Sequence, residues 1–233
     1  TGNFHEGNAR MYTDYMLMTA AKNVTRDVSL VFDFIERPYS PVRFKELLVS
    51  PNEMKQKFSR LINEEIKNKQ AGKPAYILIK INHITDPVMV KKLYEASSHG
   101  VRIDLLVRGN CSLITGVPGV SDTIRINGII DRYLEHSRIF IFANGGDEKM
   151  FIGSADWMPR NLDNRVEVIA PVYDPEIKAD LKRVVEYGLK DTLQGRVVDG
   201  TGENRPWISE DKTAFRSQEE LYKYYLNENR IKD

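Results

Sequence analysis

The stretch "AYILIKINHITDPVMVKKLYEASSHGVRIDLLVR" (75–108) decides the fold class. Its first eight residues form a nearly continuous apolar run, as in a strand covered on both faces. Asp86-Pro87 then opens a helix, with a capping carboxylate and proline at the first helical position. Met89, Val90, Leu93 and Ala96 recur on one face of that helix, and Gly100 ends it. "VRIDLLVR" (101–108) is a second strand. A strand–helix–strand unit of this length predicts parallel pairing through a right-handed crossover.

Upstream, Ser50-Pro51-Asn52-Glu53 reads as a capping box with proline at the first helical position. Met54, Phe58, Leu61, Ile62 and Ile66 follow at helical spacing, and Gly72 stops the run. Downstream, residues 138–143 and 149–153, joined by "NGGDE", read as a hairpin. "RVEVIAPVY" (165–173) is a further strand, and Asp174-Pro175 caps a helix carrying Ile177, Leu181, Val184 and Val185. "VVDGTGENRPW" (197–207) is loop-like, and "SQEELYKYYLNENR" (217–230) a terminal helix. The predicted class is α/β, a mixed sheet flanked by helices. Residues 1–45 stand apart: "ARMYTDYMLMT" (9–19) reads as a strand, and Val28, Phe32 and Ile35 mark an apolar helix face whose core partners are missing.

The bulk numbers exclude more than they assert. The 233 residues allow one sizeable core or two modest ones, and 41% apolar with 29% charged residues is an ordinary globular balance. A net charge of +1 does not advertise a nucleic-acid or membrane partner. The single cysteine, Cys111, excludes an internal disulfide and fits a reducing compartment. No signal peptide and no apolar run of bilayer length is found. The chain begins at Thr1 and is expected to be a fragment.

Sorted by type, the charge is more informative. Residues 101–166 hold seven arginines (102, 108, 125, 132, 138, 160 and 165) and one lysine, Lys149. Arginine's planar fork binds phosphate oxygens in a bidentate way that lysine cannot match. The competing expectation is that Asp104, Asp131, Glu135, Asp163 and Glu167 pair these arginines off in surface salt bridges.

An internal repeat connects the two ends. Moving residues 1–18 forward by 153 positions puts Thr1 on Ser154, Asn3 on Asp156, Phe4 on Trp157, Asn8 on Asn161 and Asp14 on Glu167. Two copies of one unit are implied, the first lying largely before Thr1. The second contains His136-Ser137-Arg138 followed, after a strand and a turn, by Gly153-Ser154-Ala155-Asp156. That arrangement resembles the repeated His-x-Lys/Arg and Gly-Ser-x-Asn/Asp motif of the phospholipase D superfamily. Arg138 stands where most members have lysine, and the usual motif aspartate has no clear equivalent, Asp147 sitting in the hairpin turn.

A longer resemblance covers nearly the whole chain. "TGNFHEGNARMYTDY", "FIERPYSPVRFKELLVSP", "LLVRGNCSL", "DRYLEHSRIFIFANGGD" and "SADWMPRNLDNRVEV" together resemble the C-terminal part of bacterial polyphosphate kinases. The resemblance implies residues 1–45 as the end of a first phospholipase D-like domain and 46–233 as a second one with a C-terminal tail. It implies transfer of the terminal phosphate of ATP to polyphosphate through a phosphohistidine, with magnesium. The nucleophilic histidine and the magnesium-site positions would lie upstream, so this fragment alone should bind anionic polymer weakly without turnover. ATP, ADP and polyphosphate are the implied partners, the full-length protein a homo-oligomer, and the location the cytoplasm, at most peripheral to the inner membrane. No nucleic acid is expected.

By motif, His136 corresponds to the family's second-domain histidine, and Tyr12 and Arg108 to positions that contact ATP. A near-neutral imidazole suits general acid/base work, or electrostatic partnership to the missing nucleophile. Arg108 ends a parallel strand, where open α/β sheets bind ligands. Arg138 is a second phosphate ligand, or a salt-bridge partner of Glu135 or Asp131 on the outward face of its strand. Ser154 donates to a phosphate from its turn or merely caps it, and Tyr12 stacks on adenine, bonds a phosphate or only packs. His5, His83 and His99 read as structural or exposed. No zinc-ligand spacing and no GxxxxGK[ST] loop occurs. Two other functions stay open: a phospholipase D-like phosphodiesterase or nuclease, and a non-catalytic module binding polyphosphate or nucleic acid through its arginines.

Overall fold

The computed structural model describes residues 5–39, 41–209 and 213–230. Its strands are β1 (Tyr12–Thr13), β2 (Leu48–Ser50), β3 (Tyr76–Ile81), β4 (Arg102–Val107), β5 (Ile124–Ile129), β6 (Leu134–Glu135), β7 (Arg138–Phe142), β8 (Lys149–Gly153), β9 (Glu167–Val172) and β10 (Gly195–Val197). Its helices are α1 (Glu6–Ala9), α2 (Lys22–Glu36), α3 (Met54–Gln70), α4 (Pro87–Ser98), α5 (Pro175–Lys190) and α6 (Ser217–Arg230). Eight strands form one mixed sheet in the order β10-β5-β4-β3-β7-β8-β9-β2, while β1 and β6 pair separately. The class is therefore α/β, as the sequence predicts.

The crossover lies where the opening stretch puts it. β3 and β4 are parallel, from Tyr76 opposite Arg102 to Ile81 opposite Val107. Asp86 caps α4 by accepting from the backbone N–H groups of Val88 and Met89, both at 3.0 Å. The alternation of β3 sorts the core into two layers. Ile77, Ile79 and Ile81 join Phe58 and Ile62 of α3, Met89 and Leu93 of α4, and Phe140 and Trp157. Leu78, with Leu106, Ile139 and Ile141, meets Leu181, Val184 and Val185 of α5. Each such fully buried side chain contributes about 1.5–3 kcal/mol relative to exposure. β7 and β8 form the expected antiparallel hairpin.

Several expectations are corrected. Ser50 does not cap α3: it ends β2, and its hydroxyl donates to the carbonyls of Asn161 (2.7 Å) and Arg165 (2.9 Å). Glu53 precedes α3 without a side-chain cap. Of residues 9–19 only Tyr12–Thr13 is strand, because its one pairing partner, β6, is equally short. β5 and β10 were hidden by glycine and polar residues. Gly128 lies inside β5 because a Cβ there would come within 2.9 Å of Val198 and 3.2 Å of the Val107 carbonyl. α2 forms, yet it buries Val24, Asp27, Val31 and Phe34 against Phe44, Leu47 and Val49. The predicted apolar face is the open one: Val28, Phe32 and Ile35 are 40%, 65% and 54% exposed. Asp27 fastens α2 by accepting from the backbone N–H groups of Glu46 (2.6 Å) and Leu47 (3.0 Å). Among the described residues no helix is long and apolar enough to cross a membrane.

Candidate phosphate-transfer site

The site gathers at the carboxyl ends of β3 and β4, where β1 and β6 also meet. Their parallel pairing sets Tyr12 opposite Leu134 and Thr13 opposite Glu135. The next residue on each side therefore brings Asp14 to His136. The Asp14 carboxylate lies 2.9 and 3.1 Å from His136 Nδ1. On the other side of the ring, Arg138 Nη1 lies 3.1 Å from Nε2 and also donates to the His136 carbonyl at 2.9 Å. A carboxylate only accepts and a guanidinium only donates, so Nδ1 carries the proton and Nε2 the lone pair. The Tyr12 ring lies 4.8 Å from the imidazole, centroid to centroid, tilted by 45°.

A buried frame fixes these groups. Arg138 does not point outward to Glu135 or Asp131. It is buried, and its Nε and Nη2 donate to the two oxygens of Asp156 at 3.2 and 3.1 Å. Asp131 is held by Arg216 and Glu135 by Lys80 instead. Asn82, fully buried after β3, joins the parts: its N–H donates to Asp156 at 3.0 Å, and its Oδ1 accepts from Arg108 Nε at 2.6 Å. The terminal nitrogens of Arg108 have no hydrogen-bond partner among the described residues.

The pairing-off expectation fails where it matters. Asp104 takes Arg102 and Arg125, Asp163 takes Lys55, and Glu167 is bound by Ser154 and Asn161. Arg108, Arg132, Arg160 and Arg165 have no carboxylate partner among the described residues. Arg132 lies over the Tyr133 ring, 5.2 Å from its centroid, so three guanidinium charges are left for something else. Burial, and then the Arg138 charge, depress the pKa of Arg108, so an anion between them would relieve both. Burial also lowers the pKa of His136, helped by the Arg138 charge and opposed by the Asp14 hydrogen bond. The ring is therefore neutral near pH 7, with its Nε2 lone pair accepting from Arg138. Asp14 behind it would stabilise the imidazolium formed if Nε2 gave up that bond and took a proton.

Of the residues singled out in the sequence, Tyr12, Arg108, His136 and Arg138 come together. Ser154 does not join them: its hydroxyl donates to Glu167 at 2.5 Å, tying its own turn to β9. His5 and His99 stay local, accepting from Gly7 N–H and bonding the Glu95 carbonyl. Asp14 and Asn82 are site residues that sequence reasoning passed over. For Asp14 the repeat offered a signal, its match to Glu167; Asn82 carried none. Thr1, Asn3 and Phe4 of the repeat lie outside the described residues. No cluster of three His, Cys, Asp or Glu able to hold a metal occurs among the described residues.

The Polyphosphate kinase C-terminal domain 2 family matches residues 47–218, and Polyphosphate kinase C-terminal domain 1 matches residues 1–41. A polyphosphate kinase of Escherichia coli K12 is 46% identical over 224 residues, covering 96% of this chain and 33% of its own length. One of Vibrio parahaemolyticus is 45% identical over 227 residues. The crystal structure of polyphosphate kinase from Porphyromonas gingivalis superposes with a TM-score of 0.93 at 40% identity, over 99% of this chain and 36% of that one. The chain spans about a third of the length of the curated relatives it matches. On these matches, as on the site they share a chain with, the protein belongs to the polyphosphate kinase family.

Proposed function

We propose that this chain supplies one half of a phosphoryl-transfer site that moves the terminal phosphate of ATP onto polyphosphate, reversibly, through a phosphohistidine on the other half. The observation that carries this is the Asp14–His136–Arg138 row beside an Arg108 with free terminal nitrogens. Arg108 and Arg138 would hold equatorial phosphoryl oxygens, where charge spreads in the transition state. Tyr12 would close the pocket against the imidazole. With a polyanion bound, the His136 pKa rises, and the imidazolium held by Asp14 can protonate or steady the leaving ADP oxygen.

The interval of 153 residues suggests the complementary half. Glu167 would stand to a histidine of the first copy as Asp14 stands to His136. Magnesium is not placed here: Asp14 and Asp156 are held by His136 and Arg138, leaving no free carboxylate pair in the site. The residues present do not fit a resident metal, and no step above depends on one. Residues 1–45 as the end of a first domain, a homo-oligomer and a cytoplasmic location belong to the same proposal.

ATP labelled at the γ-phosphate tests it, incubated with this chain and with one extended upstream through the first copy. Acid-labile, alkali-stable label only on the extended protein, with turnover cut on the order of 10²–10⁴-fold in His136→Ala, is the expected result. Label on neither folded protein would remove phosphohistidine chemistry and leave a binding module.

A further inference from the structure

His83 sits at the carboxyl end of β3, beside the buried Asn82, and the mechanism above does not use it. Its Nδ1 accepts the backbone N–H of Asn110 at 2.9 Å. In the neutral ring this places the proton on Nε2, which has no partner among the described residues. The ring packs against Gly109, where a Cβ would come within 2.3 Å of its Cε1 and 2.5 Å of its Nδ1. Its carbonyl accepts from Trp157 N–H at 3.1 Å, so backbone and ring are both held.

The surroundings give that free N–H a use. Asp156, Arg108, Arg160 and Arg138 all act electrostatically on the ring. Asp156 is already bound by Arg138, while Arg160 is exposed and unpaired among the described residues. Burial and the three arginines lower the pKa of His83 and hold it neutral. A neutral donor adds a hydrogen bond to an anion without another like charge in the cluster.

We propose that His83 is a phosphate-binding residue, its Nε2–H donating to an oxygen of a bound phosphoanhydride chain spanning Arg108 and Arg160. The proposal rests on the site being one for phosphate transfer, and it names a subsite beside His136. Polyphosphate and the phosphates of a nucleotide share this chemistry.

The test uses this chain, tripolyphosphate and ADP. A two-bond ¹H–¹⁵N spectrum should show His83 protonated at Nε2, and tripolyphosphate should shift that N–H. His83→Ala should weaken tripolyphosphate binding roughly tenfold, the loss of one hydrogen bond to a charged group, and His83→Asn, which keeps a donor, should lose less. Equal loss for ADP assigns the contact to phosphates that both ligands present; loss for tripolyphosphate alone assigns it to the polymer. An Nδ1-protonated ring, or His83→Ala affinity within about twofold of the parent while Arg108→Ala falls, overturns the inference and leaves the site intact. Tripolyphosphate binding untouched by Arg108→Ala removes the phosphate site itself, and His83 with it.

Discussion

Two stretches of this chain align 153 residues apart, and the fold treats them differently. Asp14 precedes α2 as Glu167 precedes α5, and Lys22, the first residue of α2, corresponds to Pro175, the first of α5. α5 is capped by Asp174 and buries Leu181, Val184, Val185 and Gly188 against the sheet. The corresponding positions in α2 are Val28, Val31, Phe32 and Ile35, and of these only Val31 is buried. α2 instead turns Val24, Asp27 and Phe34 to the segment leading into β2. An apolar stripe in the register of a sheet-facing helix is thus presented without a sheet. The carboxylates differ in the same way: Asp14 holds an imidazole, whereas Glu167 is held by Ser154 and Asn161. Equivalent sequence does not ensure equivalent partners; the partner elements must be present.

Paired substitutions measure that difference, and the largest effect falls in the helices. Leu181→Ala should destabilise the chain by about 3 kcal/mol, a transfer loss plus a cavity. Its counterpart Val28→Ala should change stability by less than about 0.5 kcal/mol. Urea unfolding of both variants reads the contrast, and equal costs would break it. In a chain extended upstream through the first copy, the Val28→Ala cost should rise toward that of Leu181→Ala.

The same contrast explains what could be read from the sequence. The β3–α4–β4 crossover was legible because strand runs, an Asp-Pro cap and a glycine stop agree within 34 residues. α2 was legible as a helix with an apolar face, but periodicity cannot tell which of two stripes meets a core, and Val24, Asp27 and Phe34 won. β5 escaped because Asn127 and Gly128 interrupt it, although Asn127 donates to the Gly188 carbonyl at 2.9 Å and Gly128 admits a close neighbour. In the site, His136 and Arg108 were found through motif and strand end. Asp14 and Asn82 act through pairings across 122 and 26 positions, which no local pattern encodes. The salt bridge weighed for Arg138, to Glu135 or Asp131, missed Asp156 for the same reason: the two meet only through the β7–β8 hairpin.

The second pair is smaller and lies in the site. Asp14→Asn should lower the His136 titration midpoint, because a charge-assisted hydrogen bond to the imidazolium is lost. Glu167→Gln should leave that midpoint unchanged. It should cost about 1 kcal/mol of stability through weaker bonds from Ser154 and Asn161. Histidine NMR titration of both variants separates a carboxylate that tunes a ring from one that braces a turn. A His136 midpoint indifferent to Asp14→Asn would make the two carboxylates alike and sink the distinction.

The smallest effect is on stability against pH, and its sign follows from the same ring. The folded His136 pKa is depressed, so between it and the unfolded value, about 6.5, the unfolded chain binds more protons. Its stabilising contribution is present above about pH 6.5 and is lost as pH falls through the folded value. His83 is depressed in the same direction, so the His136 share must be isolated against His136→Gln. Thermal unfolding at steps from pH 7.5 to 5 should show a midpoint that falls on acidification, less steeply in His136→Gln. Asp14→Asn lowers the folded pKa further and should widen the window in which stability is lost; Glu167→Gln should leave the slope as it is. A midpoint that rises as pH falls would mean that the Asp14 hydrogen bond outweighs burial and Arg138. His136 would then rest as the imidazolium without any bound anion.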